Sequence, residues 1–161
     1  MLFTRSAIVC GGVRRSIVIV TYLRDNASMQ TIEIPIEAIF QALGEPTRLR
    51  IIRLMAVTDE EICLCELVDS LLEPQYKLSR HLKVLRQSGL LESEKEGRWV
   101  YHRLSSGADV LRNLFEYVTT LPDQDGSFDA DLLRFQERLS HREDGRCRVG
   151  VLSAALESKA S

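Results

Sequence analysis

Cys63 and Cys65, with one residue between them, are the side chains of this chain best suited to chemistry. A thiolate is both a nucleophile and a ligand for soft metal ions. In a regular helix each step turns about 100°, so the two would point about 200° apart and could not grip one ion. At a helix start the first turn can open. The helix N-terminus also lowers a thiol pKa, against which Asp59, Glu60 and Glu61 push the other way. A third thiolate would complete a three-coordinate site, the arrangement trivalent arsenic or antimony prefers. Cys147 and Cys10 are the candidates. Cys147 is preferred, because a polar tail from Glu143 onward is expected to fray and could fold onto the site from either subunit of a dimer. The competing reading of Cys63 and Cys65 is a pair of small buried hydrophobes.

A second set of residues follows at once. From Gln75 to Leu91 there is no acid, while Lys77, Arg80, Lys83 and Arg86 supply four cations. Leu78, Leu82 and Leu85 recur at helical spacing and would face a core. The outer face then carries Gln75, Tyr76, Lys77, Ser79, Arg80 and Lys83. Lysine and arginine neutralise phosphates, and glutamine, serine and arginine can also bond base edges in a major groove. His81 could touch phosphate or cap the edge of the core; the first is preferred. Lys95 and Arg98 lie at the tip of a following hairpin, suited to DNA backbone or minor groove. The competing reading is an ordinary solvated basic face.

These residues need elements to hold them. Ile36, Ile39, Phe40 and Leu43 predict a helix that Gly44 stops, and Pro46 opens another with Leu49, Ile52 and Met55 inward. The spacing predicts a third helix from about Ile62 to Leu72, and a fourth opened by Pro74 and closed near Ser88-Gly89. Two helices joined by a short turn are a helix-turn-helix. Leu91 to Glu96 and Trp99 to Leu104 flank the tight turn Glu96-Gly97-Arg98 and make a wing. A helix from about Ala108 to Thr120, a linker over Leu121 to Ser127 and a last helix from Asp129 to His141 complete the pattern. The fold class is mainly α with a small β-hairpin: a homodimeric winged helix-turn-helix. Residues 29–121 would be the DNA-binding and dimerisation domain, and 122–161 a C-terminal helix and flexible tail. Residues 1–28 would be a leader or arm. In it Ile17 to Tyr22 could form a strand, with no partner in sight, and Met29 could be the natural start.

The chain has 161 residues, 45% hydrophobic and 27% charged, enough for one domain with a sizeable core. Its net charge of −2 excludes a uniformly basic nucleic-acid binder and leaves a local patch. Four cysteines are too few for a disulfide scaffold, which favours a reducing cytoplasm. No apolar run approaches the roughly 18 residues of a membrane span. No Ser/His/Asp set, phosphate-cradling loop or supported carboxylate pair argues for an enzyme.

The run ICLCELVDSLL followed by KLSRHLKVLRQSGLLESEKEGRWVYHRLS resembles the ArsR/SmtB family of winged-helix metal-sensing repressors, over about Ile36 to Thr120. It looks most like the arsenic-responsive branch, where a Cys-x-Cys at the third helix binds As(III) or Sb(III). The resemblance implies a homodimer joined by its first and fifth helices, with no constitutive cofactor. The metal-free dimer would occupy palindromic double-stranded operator DNA, and metalloid would release it. Val68 stands where the best-known arsenic sensors carry a third cysteine. Asp109 is followed by Val110 and Leu111, which departs from the family's zinc site. A cadmium or lead sensor, using Cys10 from an N-terminal arm, a thiol redox switch on Cys63 or Cys65, and a protein-binding winged-helix module are the alternatives.

Overall fold

Among the described residues, Leu, Ile and Phe side chains at helical spacing become six helices around one core, and the wing becomes the larger part of a three-stranded sheet. The computed structural model describes residues 17–24, 28–106 and 108–153. In order these are β1 (Ile17–Arg24), β2 (Ser28–Pro35), α1 (Ile36–Leu43), α2 (Pro46–Thr58), β3 (Ile62–Cys63), α3 (Leu64–Leu71), α4 (Gln75–Gln87), β4 (Leu91–Glu96), β5 (Trp99–Leu104), α5 (Asp109–Thr119) and α6 (Ser127–Leu139). Among the described residues no helix is long and apolar enough to cross a membrane.

The boundaries follow local chemistry. The Glu45 carboxylate accepts from Arg48 N at 2.9 Å, and Pro46 supplies a preset φ at the first position of α2. The α4 helix ends on Gly89 at φ 72, where Leu90 N donates to Leu85 O and Gly89 N to Arg86 O. That pair of bonds is a Schellman cap, closed by the buried Leu85 and Leu90. Between α3 and α4 only Leu72, Glu73 and Pro74 intervene, so the two helices pack as a helix-turn-helix. Leu78, Leu82 and Leu85 point into the core, as their spacing predicts.

Three expectations change. The strand at the N-terminal end has a partner: β1 pairs antiparallel with β2 from Ile17↔Pro35 to Arg24↔Ser28, and β2 runs through Met29. Its own sequence could not reveal this, because a partner strand is defined by pairing rather than by composition. Second, Ile62 and Cys63 are a short strand instead of the first turn of α3. They pair with His102 and Tyr101 of β5, giving the sheet order β3-β5-β4. Third, the segment after Glu143 is folded as far as Ser153. Cys147 in it has no exposed surface.

That third change has a clear cause in ion pairs. Arg134, Arg138, Arg142 and Arg146 recur every four residues, along α6 and beyond it. They reach Ser70 O, Asp69, Glu66 and Glu61 in turn. Arg50 on α2 joins the row through both oxygens of Asp131, each at 2.7 Å. The Asp69 carboxylate also accepts from Leu152 N and Ser153 N, which fastens the far end of the segment. Phe135, fully buried, carries α6 into the same apolar core as α2, α3 and α5. Removing a buried ring leaves a cavity, so Phe135→Ala should lower unfolding free energy by about 3–5 kcal/mol, read from urea titrations. A loss under about 1 kcal/mol would mean that α6 is only loosely attached.

Candidate functional site

Cys63 ends β3 and caps α3, with extended backbone at φ −87 and ψ 161. Its position outside the helical turn removes the 200° problem: Cys65, inside the first turn, can face the same point. Glu66 fixes this start. Its carboxylate, with no exposed surface, accepts from Cys63 N at 2.9 Å and takes a forked bond from Arg142 at 2.7 and 3.2 Å. The third sulfur arrives from the C-terminal segment. The Sγ atoms of Cys63, Cys65 and Cys147 all lie within 4.8 Å of one another, and all three residues are buried and free of disulfides. Cys65 Sγ and Cys147 Sγ are 3.2 Å apart. Tyr101 OH donates to Cys147 O at 3.0 Å, holding the segment against the wing strand.

The electrostatics divide the thiols. A hydrogen bond from Cys63, helped by Cys147 and the Arg138 cation, holds Cys65 down at about 7 against the cost of burial. Cys63 is pushed up, by that same hydrogen bond to Cys65, by burial and by Glu66. Burial and Cys65 raise Cys147 to about 11. Arg138 Nη2 lies 3.4 Å from Cys147 Sγ, and its Nε 2.8 Å from Asp69. One thiol is therefore ionisable near neutral pH, with two thiols beside it that keep their protons there. Three buried sulfurs within 4.8 Å of one another fit a soft three-coordinate ion. Cys10 lies outside the described residues.

The second set also lies where the spacing puts it. Gln75, Ser79, Arg80 and Lys83 are exposed along one face of α4, with Tyr76 beside them. The Arg80 guanidinium carbon lies 5.9 Å from the Tyr76 ring centre, a cation–π contact on this exposed face. Lys77 is partly covered and sits 3.0 Å from Glu73, so part of its charge is already matched. Lys95 and Arg98 are exposed at the wing tip, and Arg98 stacks over Trp99 at 4.9 Å. His81 turns away from this face. Its Nδ1 lies 3.4 Å from Glu45, its Nε2 is buried without a partner, and burial lowers its pKa. It occupies the core-edge position of the two that the sequence allowed. His102, buried beside Arg86, is held down at about 4 by desolvation, so it adds no positive charge to this face.

Sequence reasoning passed over Glu66, Tyr101, Arg138 and Arg142. The available signal was a pair of acids, Glu66 and Asp69, inside an otherwise apolar helix, matched by arginines every fourth residue from Arg134. Buried acids require cations, and the periodicity says where those cations lie.

Residues 45–93 match the arsR family of bacterial regulatory proteins. The chain is 41% identical over 83 residues to an uncharacterized HTH-type transcriptional regulator of Methanocaldococcus jannaschii, covering 52% of this chain and 90% of that one. It is 46% identical over 72 residues to the arsenical resistance operon repressor of Escherichia coli, covering 45% of this chain and 60% of that one. Among solved structures, reduced HlyU from Vibrio cholerae aligns at 30% identity and TM-score 0.49, over 55% of this chain and 90% of that one. The family match includes Cys63, Cys65 and α4; Cys147 lies well beyond it.

An exposed arginine near the start of such a helix contributes both charge and base contact. Arg80→Ala should therefore weaken binding to duplex DNA from the chain's own upstream region by about 1–3 kcal/mol and reduce the salt slope by about one. Anisotropy titrations across a salt series read both, and an unchanged affinity would remove Arg80 from the interface.

Proposed function

This chain belongs to the arsR family of bacterial regulatory proteins, and from that membership we propose that it is a metalloid-responsive repressor, bound to operator DNA when metal-free and released by As(III) or Sb(III). The observation that carries this reading is the convergence of Cys63, Cys65 and Cys147 within 4.8 Å, at the start of the helix that precedes the basic helix α4. The arsenical resistance operon repressor of Escherichia coli among its relatives supports the choice of ion.

The chemistry is a ligand exchange. Arsenous acid carries three hydroxyls; each As–S bond that forms sends one hydroxyl off as water with the thiol proton. Three thiols thus release three waters and leave a neutral complex, suited to a buried site. Cys65, held near neutral pKa, is the thiol best placed to attack first. The Glu66 bond to Cys63 N keeps that sulfur in place, and Arg138 steadies the sulfur of Cys147. Drawing three sulfurs together loads the start of α3, which packs against α4. Metalloid lowers operator affinity only so far as it prefers the arrangement that binds DNA less well.

For the output, Gln75, Lys77, Ser79, Arg80 and Lys83 would meet a major groove, with Lys95 and Arg98 reaching backbone or minor groove; His81 would brace the helix. A homodimer would present two such helices to a palindromic operator. Phe40 on α1 and Tyr117 on α5 leave 61% and 65% of their surface exposed, which supports an interface built on those two helices. The 3.2 Å approach of Cys65 and Cys147 favours one second reading, a redox switch. There an oxidant such as a peroxide takes two electrons and two protons as the disulfide forms.

The deciding experiment is a fluorescence-anisotropy titration of reduced protein on its upstream DNA, with and without arsenite. Release by low-micromolar arsenite and not by zinc is expected. Cys63→Ser with Cys65→Ser should bind DNA and ignore arsenite, and Cys147→Ser should need about tenfold or more arsenite for the same release, since one of three bonds is lost. Release from the double variant at wild-type arsenite concentrations would refute the site. Oxidised protein that recovers DNA binding with a monothiol reductant alone, and never responds to arsenite, would favour the redox reading.

A further inference from the structure

The residues on either side of Cys147 tie the sulfur cluster to the wing. Arg148 Nη2 lies 2.7 Å from Glu96 Oε1, and Arg146 Nε lies 3.3 Å from Glu96 Oε2. Arg146 also covers the Tyr101 ring at 4.6 Å and reaches Glu61 at 2.5 Å. Glu96 is the last residue of β4 and pairs with Trp99 across the wing turn. It stands directly after Lys95 and two residues before Arg98, the two cations at the tip. One carboxylate at the wing turn therefore receives both arginines that flank the third thiol.

We propose that Glu96 is the residue that couples the sulfur cluster to the wing, reading the position of Cys147 through Arg146 and Arg148. The proposal rests on the reading of Cys147 as the third ligand. With both arginines on Glu96, the acid at the wing turn is neutralised where the wing meets phosphate. Cys147 Sγ already stands 3.2 Å from Cys65 Sγ, so an ion entering among the three sulfurs re-aims the Cys147 side chain, shifts the two arginines on either side of it and loosens this contact. A bare carboxylate then stands beside the tip, well inside the screening length of about 8 Å, and repels the DNA backbone.

Magnitudes favour such a device. The pairs at Glu96 are partly exposed, at 40% for Glu96, 37% for Arg146 and 40% for Arg148. Exposed pairs contribute little to stability, so the clip opens at small cost. The pairs of Arg138 and Arg142 with Asp69 and Glu66 are buried, and breaking them is expensive. A displacement of Cys147 is therefore absorbed at the wing and not along α6.

The test is Glu96→Gln in the full chain. Operator affinity is measured by anisotropy with and without arsenite, and arsenite binding to the protein alone by calorimetry. Wild type should lose about 5- to 150-fold of its operator affinity on arsenite loading. The variant should bind operator at least as tightly, bind arsenite with unchanged affinity and stoichiometry, yet lose less than about threefold on loading. Arg148→Gln, which leaves Glu96 with Arg146 as its one cation, should bind operator more weakly than wild type even without arsenite. A Glu96→Gln protein that releases DNA over the wild-type range overturns the proposal. Wild-type protein that binds no arsenite removes the reading beneath it, and the proposal with it.

Discussion

The structure turns on two carboxylates inside α3. Glu66 and Asp69 are buried, and a buried charge without a partner would destabilise the fold by several kcal/mol. Their partners, Arg142 and Arg138, come from α6 and the turn after it, at 2.7 and 2.8 Å. Each acid then has a second duty. Glu66 holds Cys63 N and so sets the start of α3; Asp69 holds Leu152 N and Ser153 N and so fastens the segment that contains Cys147. These two pairs are the buried part of what holds the third sulfur beside the other two; the Tyr101 bond to Cys147 O adds to them.

This arrangement explains how a cluster can be built from distant parts of the chain and still respond. The framework is rigid where it is buried: the arginine row on α6, the capped start of α3 and the Tyr101 bond to Cys147 O. It is soft where it is exposed, at the wing turn and along the outer face of α4. Input and output share elements. Cys63 is paired to Tyr101 of the wing strand and continues into α3, which leads through three residues to α4. In the proposed switch a change at the sulfurs would therefore reach both α4 and the wing through these shared elements.

Much of this was legible in the sequence. The wing strands, the ends of α4 and the inward set Leu78, Leu82 and Leu85 follow from periodicity, proline and glycine, because those signals act locally. Cys63 and Cys65 at a helix start were legible from the geometry of a helix alone. Cys147 could be named as a ligand candidate by residue type, but its burial could not, since the polar residues around it read as a solvated tail. The cause is non-local: Arg138, Arg142 and Arg146 are polar in composition and become structural only opposite Asp69, Glu66 and Glu61. The two-residue strand β3 was hidden for the same reason, as two residues carry no alternation and exist as a strand only by pairing with β5.

The central claim is that Cys63, Cys65 and Cys147 together supply three sulfurs to one ion. X-ray absorption at the arsenic edge, on the reduced 161-residue chain loaded with one arsenite per chain, measures this directly. Three sulfur neighbours per arsenic and no oxygen are predicted, falling to two sulfurs and one oxygen in Cys147→Ser. Two sulfurs and one oxygen already in the wild type would contradict the account.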